Sequence, residues 1–264
     1  MTALADALAA ARAQGRAALI GYLPVGYPSV GLSIDAMRAM VDGGADIIEV
    51  GVPYSDPVMD GPTIQAAADP AVRAGVGVPD ALQAVAAVVD AGAAAVIMSY
   101  WNPLERYGVA RFAADLAAAG GSGAITPDLI PDEAEAWLSA TDAHGLDRVF
   151  LVAPSSTDAR IGATTAAARG FVYAASTMGV TGAREAVSGS ARSLVARVRA
   201  LSEIPVCVGL GVSSGDQAAE VAGFADGVIV GSAFVRCLLD APDAAGVEAV
   251  RALAAELAAG VRRR

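Results

Sequence analysis

The sequence predicts an α/β protein, an eight-stranded parallel β/α barrel with an extra helix at its N-terminus. Three observations carry this expectation. Short β-rich runs alternate with longer, alanine-rich amphipathic stretches at intervals of roughly 25 to 40 residues. The short runs are almost continuously apolar, as strands of a parallel sheet covered on both faces are. Finally, there are eight of them, a number that suits a closed barrel better than an open sheet. A doubly wound open sheet stays as the alternative, because the order in which strands neighbour one another is not written in a single sequence.

Taken in order, the strands are expected at 18–23, 46–50, 94–99, 122–126, 148–152, 171–175, 205–209 and 226–230. Glycine announces several of them: Gly43-Gly44, Gly92, Gly120-Gly121 and Gly145 each end an amphipathic stretch a few residues before a strand begins. Segment 2–14 reads as a helix preceding the repeat and 243–262 as the closing helix. No Pro/Ser run or charge block divides the chain, so a single domain over 1–264 is expected.

Composition narrows the chemistry. The chain has 264 residues, 55% of them hydrophobic, and a formal net charge of -10. A nucleic-acid partner would require a basic footprint that this balance does not supply. The cluster Arg262-Arg263-Arg264 reads as a solvated, frayed terminus. No apolar run reaches the roughly 18 residues of a membrane span, and the N-terminus meets Asp6 without an early positive charge, unlike a signal peptide. A cytoplasmic protein is expected. All 18 basic residues are arginine, so lysine Schiff-base chemistry and covalent attachment of pyridoxal phosphate to this chain are excluded. The single histidine, His144, falls where a helix should end, and its expected role is capping. Cys207 and Cys237 lack metal spacing and read as buried free thiols. Carboxylates, hydroxyls, arginines and backbone amides remain to do the chemistry.

Functional side chains of a barrel sit at the C-terminal ends of its strands and in the loops that follow. Glu49 lies near the end of the apolar strand Ile47-Ile48-Glu49-Val50-Gly51. A carboxylate there is costly to bury without a partner or a task. It reads either as a general acid–base group with a raised pKa or as the partner of an arginine at the barrel rim. The next loop, Val52 to Thr63, is long, holds three prolines and carries Asp56 and Asp60. Asp60 reads equally as the second member of an acid–base pair or as part of a cap for the next helix. Glycine turns at 179–182, 209–213 and 230–233 follow strands, the last two after the seventh and eighth. Barrels hold phosphate at that place, between backbone amides and a helix N-terminus.

The segment Glu49 to Gln65 closely resembles the signature of the tryptophan synthase alpha subunit family, with both carboxylates in register. Further likeness runs through Tyr22 to Pro28, Tyr100-Trp101-Asn102-Pro103, Pro127-Asp128-Leu129, Thr177 to Gly182 and the two C-terminal glycine turns. The resemblance implies a lyase that cleaves indole-3-glycerol phosphate to indole and glyceraldehyde 3-phosphate by a retro-aldol reaction, with neither metal nor Schiff base. It implies Glu49, Asp60 and Tyr173 as catalytic residues. Glu49 would protonate the ring carbon and take the glycerol hydroxyl proton, Asp60 would hold the indole N–H, and Tyr173 would assist beside Glu49. It further implies a phosphate cradle of Gly182, Gly211, Gly231 and Ser232, an indole pocket of Tyr22, Met98, Ile125 and Leu210, and loop closure and partner contact through Asp56 and Thr181. The implied partner is a beta subunit carrying pyridoxal phosphate, in an alpha-beta-beta-alpha assembly, with no cofactor on this chain. Tyr22, Leu210, Tyr27, Ile130 and Val58-Met59 depart from the residues usual in the family.

Two other classes use parts of the same pattern. A barrel isomerase of phosphorylated sugars would share the phosphate cup but leave the 49–65 segment unexplained. A non-catalytic barrel that activates a partner would have no need of Glu49 and Asp60.

Overall fold

The computed structural model describes residues 2–175 and 184–263, the side chains of 184–188 excepted. Its strands are β1 (Ala18–Pro24), β2 (Ile47–Gly51), β3 (Ala94–Met98), β4 (Gly123–Ile125), β5 (Asp147–Val149), β6 (Leu151–Val152), β7 (Val172–Ala175), β8 (Val206–Gly209) and β9 (Gly227–Val230). The α-helices are α1 (Ala3–Ala13), α2 (Val30–Asp42), α3 (Pro62–Arg73), α4 (Val78–Asp90), α5 (Trp101–Tyr107) and α6 (Val109–Ala118). They continue with α7 (Glu135–His144), α8 (Asp158–Ala167), α9 (Arg184–Leu201), α10 (Gly215–Ala222), α11 (Ser232–Asp240) and α12 (Ala244–Val261).

All strand pairs are parallel, and the order is β5-β4-β3-β2-β1-β9-β8-β7-β6. The two ends of this ladder, β5 and β6, are consecutive in the chain with only Phe150 between them. They are the two halves of the strand expected at 148–152, so nine strands occupy eight barrel positions. Side-chain alternation passes through the break unshifted: Val149 packs inside the barrel, Phe150 outside, and Leu151 inside again. The order of pairing removes the doubly wound alternative.

The core divides as a barrel requires. One cluster joins the outward strand residues, such as Leu19, Ile48, Val50, Ile97, Val172 and Val228, to the inner faces of the helices. The other fills the barrel interior with Ile20, Ile47, Val96, Ile125, Val149, Phe171, Cys207 and Ile229. Leu4, Leu8 and Ala11 of α1 belong to the second cluster, so α1 plugs the N-terminal end. Full burial of a leucine stabilises by about 1.5–3 kcal/mol, enough for two such residues to hold this short helix in place. Polar contacts fix its start: the Leu4 amide donates to Ser122 Oγ at 3.2 Å, and the Thr2 hydroxyl donates to Asp147.

Alanine and glycine let the outer helices approach closely. A Cβ on Gly43, the residue after α2, would stand 2.5 Å from the Ala254 Cβ of α12, so the closing helix seats directly on α2. His144 ends α7 and Gly145 follows at φ 64°, the left-handed cap expected there. Both cysteines are free thiols. Cys207 is buried as expected, whereas Cys237 is only half-buried, because it lies at the margin of the α11 face packed on the core. Among the described residues no single helix is long and apolar enough to cross a membrane.

Candidate functional site

Strand alternation points Glu49 inward. Ile47 and Glu49 share the interior face of β2, and Glu49 stands in register between Tyr22 of β1 and Val96 of β3. The residue is 1% exposed, and its Oε1 has no hydrogen-bond partner. No arginine pairs with it among the described residues, so the rim ion pair is not its role. Burial raises its pKa to about 8, because desolvation penalises the carboxylate with no neighbouring cation to offset it. At neutral pH the group is therefore mostly a protonated acid, yet one poised to ionise.

Asp60 reaches the same cavity from the loop between β2 and α3. It does not cap the helix: Gly61 occupies the N-cap position, and the helix has no side-chain cap. Instead Asp60 Oδ1 accepts a hydrogen bond from the Tyr100 hydroxyl at 3.2 Å, and that hydroxyl accepts from the Met59 amide at 2.9 Å. Burial pushes the Asp60 carboxyl above its ordinary value, and the bond from Tyr100 opposes this.

Around these carboxyls lies a cavity of about 780 Å³ at the C-terminal end of the strands. Tyr22, Met98 and Tyr173 line it with Glu49 and Asp60. The Tyr22 ring lies over Gly51, where a Cβ would stand 2.6 Å from the phenol oxygen. Tyr173 lies over Gly209 in the same way, at 2.4 Å. Both phenols are held well above their ordinary pKa, first by burial and then by nearby carboxylates, with Glu49 acting on both. Ile125 lies buried in the barrel interior, in register with Met98, and Leu210 packs towards the helices.

Gly211, Val212, Ser213, Gly231, Ser232 and Ala233 line the cavity where the chain leaves β8 and β9. Gly211 adopts φ 65°, a left-handed backbone that favours glycine. Gly231 is the N-cap of α11 and no side chain caps that helix, so its first amides are open to an acceptor in the cavity. Ser213, at the end of the 209–213 turn, and Arg236, not singled out in the sequence, also line the cavity. For Arg236 a signal was available, since it stands four residues after Ser232 and so on the same helical face. Asp56 is exposed on the loop and accepts from the Ser55 hydroxyl at 2.6 Å. Thr181 and Gly182 lie outside the described residues.

This arrangement brings a buried acid, a second carboxyl and an uncapped helix start to a common space. Against known families, the model described as "Tryptophan synthase alpha chain" matches residues 8–262. The chain belongs to the tryptophan synthase alpha chain family. Relatives named tryptophan synthase alpha chain include that of Thermobifida fusca, 64% identical with 99% of this chain and 98% of the relative covered. That of Acidothermus cellulolyticus is also 64% identical, covering 100% and 98%. Among solved structures, an aminoacrylate-bound form of Mycobacterium tuberculosis tryptophan synthase superposes with a TM-score of 0.91 at 58% identity, covering 99% of this chain and 100% of the other. The alpha subunit from Legionella pneumophila gives 0.89 at 30% identity, covering 99% and 98%. The alpha chain fold is thus shared with relatives down to 30% identity.

Proposed function

We propose that this chain cleaves indole-3-glycerol phosphate to indole and glyceraldehyde 3-phosphate in tryptophan biosynthesis, with Glu49 and Asp60 dividing the proton work. The observation that carries the reading is the state of Glu49, a buried and unpartnered carboxyl that remains an acid up to about pH 8 beside a second carboxyl in one cavity. Glu49 donates its proton to the indole ring carbon that bears the glycerol chain. The ring becomes a cation whose N–H is held by the Asp60 carboxylate, and the positive charge makes the ring an electron sink. Glu49, now a carboxylate, takes the proton of the adjacent hydroxyl. The carbon–carbon bond breaks, its electron pair returns to the ring, and the hydroxyl carbon leaves as the aldehyde. Glu49 ends protonated as it began, so no outside acid or base is consumed. Tyr173 assists beside Glu49.

In this reading the phosphate rests on Gly182, Gly211, Gly231 and Ser232, and the indole lies in a pocket to which Tyr22, Met98, Ile125 and Leu210 contribute. Asp56 and Thr181 serve loop closure and partner contact. The partner is the family's beta subunit, in an alpha-beta-beta-alpha assembly, and pyridoxal phosphate belongs to that subunit. A sugar isomerase would share the phosphate cup but would have no use for Asp60 on its loop. The test is spectrophotometric indole release by wild type and Glu49→Gln with the beta subunit present. The amide is nearly isosteric but transfers no proton, so a loss of at least about a thousandfold is expected. Near-normal turnover would overturn the assignment.

A further inference from the structure

We propose that Arg236 is a specificity-determining residue, a cation held at the cavity wall to select the phosphorylated substrate over its uncharged analogue. This rests on the reading of the cavity as an indole-3-glycerol phosphate site. Among the described residues that line the cavity, the charged side chains are Glu49, Asp60 and Arg236. Arg236 is thus the one cationic side chain among them. Side chains of a helix lean towards its N-terminus, and Arg236 follows Ser232 by four residues in α11. Its guanidinium therefore overhangs the first turn, the turn whose uncapped amides face the cavity.

The partners of that guanidinium are equally informative. It donates to Thr63 Oγ1 at 3.1 Å, a neutral hydroxyl in the first turn of α3, and no carboxylate pairs with it among the described residues. An arginine committed to structure is usually paired like Arg16, whose two terminal nitrogens clamp Asp46 at 2.7 and 2.8 Å. Arg236 keeps its charge free while a weak partner holds it in place. A phosphate monoester carries about -1.5 to -2 charges near neutral pH. Helix amides and glycine turns supply hydrogen bonds but only partial charge, whereas an arginine supplies a full charge and planar donors suited to phosphate oxygens. In a chain of net charge -10, that local cation also offsets the field that would repel a dianion.

The experiment compares indole-3-glycerol phosphate with indole glycerol, its dephosphorylated analogue, as substrates of wild type, Arg236→Gln and Arg236→Lys, each with the beta subunit present. Competitive inhibition by inorganic phosphate is measured alongside. Arg236→Gln should raise KM for the phosphate ester by about 10- to 100-fold with a much smaller change in kcat, and should weaken phosphate inhibition in proportion. Indole glycerol should lose far less, and Arg236→Lys should recover most of the affinity because it restores the charge. Equal losses on both substrates, or an unchanged KM while wild type still prefers the ester, would overturn the role of Arg236. A wild type that cleaves both substrates equally well would instead overturn the phosphate reading of the cavity, and this inference with it.

Discussion

The Tyr100 hydroxyl donates to Asp60 Oδ1 at 3.2 Å while accepting from the Met59 amide at 2.9 Å, so one phenol holds both the carboxylate and the backbone of the loop that carries it. Strand register makes this possible. Gly51 of β2 pairs with Met98 of β3, so the loops leaving the two strands emerge side by side. Tyr54 packs on Tyr100 with ring centroids 5.3 Å apart, and its hydroxyl accepts from Asn102 at 3.0 Å. Tyr100→Phe should keep the ring packing and remove the donor. Asp60 then loses the bond that opposes its burial, so the carboxylate form needs a higher pH. The acidic limb of kcat/KM should move upward, and the neutral-pH rate should fall by about 3- to 30-fold. A pH–rate profile checks this, and an acidic limb that does not move would show that Tyr100 leaves the ionisation of Asp60 untouched.

Glu49 gives a paired prediction for activity and stability. The first proton transfer needs the acid form, so kcat/KM of wild type should fall as pH rises through about 8. Stability follows the same titration. Below the ordinary value of 4.5 the carboxyl is protonated in both folded and unfolded chains. Above it only the unfolded chain releases the proton, so folding loses about 1.4 kcal/mol per pH unit until the folded group also ionises. Glu49→Gln has no such group. Urea denaturation should therefore show the variant gaining on wild type between pH 5 and pH 9, by an amount on the order of 4 kcal/mol. A pH-independent difference would mean that Glu49 is not held as an acid.

Substitutions at the proposed phosphate site should separate strain from crowding. Gly211→Ala forces a side chain into φ 65°, costing on the order of 1 kcal/mol of stability besides any loss of affinity. Gly231 has a negative φ of -124°, but a Cβ there would stand 3.1 Å from Tyr22 Cδ1. Gly231→Val should thus push the Tyr22 ring towards the cavity and raise KM with little change in melting temperature. Thermal melts together with KM for the phosphate ester distinguish the two variants, and identical behaviour would contradict this reading of the two glycines.

The barrel was legible because its periodicity is local: each apolar run and glycine stop sits within a few residues, and the eight expected strands all form. The break at Phe150 was not, since Arg148 to Val152 reads as one uninterrupted run. It arises where the ladder to β4 ends at Val149 and the ladder to β7 begins at Leu151. Glu49 announced itself as a carboxyl in an apolar strand. Asp60 remained ambiguous until the position of Gly61 at the helix start removed the capping role. Tyr100 could not be linked to Asp60 from sequence, because the two stand 40 positions apart and only strand register brings them together. The same is true of Arg236 and Thr63, which meet through the packing of α11 beside α3.

The last prediction concerns the beta subunit and the loop from Val52 to Gly61. This loop carries Asp60, yet Val58 is 83% exposed and Met59 52% exposed, so these two apolar side chains gain little from the chain's own core. Its inner side is tied down at Tyr100 and at the Tyr54–Asn102 bond, while Asp56 and Val58 face outward. A segment that buries so little apolar surface on one side opens at low cost, and Asp60 then spends part of its time out of productive geometry. A partner that covers Val58 would contribute about 2 kcal/mol from that side chain alone if it were fully buried, and would favour the closed loop only by its differential affinity for that state. Each 1.4 kcal/mol of such preference multiplies the closed population by about ten while closure remains unfavourable. The isolated chain should therefore be a weak catalyst, and the beta subunit should raise its rate by about tenfold or more. Asp56→Ala and Val58→Ser should each reduce that activation far more than they reduce the rate of the isolated chain. Indole release titrated with beta subunit measures both quantities. Full activity of the isolated chain, with no gain on adding the partner, would show that the loop closes unaided and that its exposed residues serve no activation.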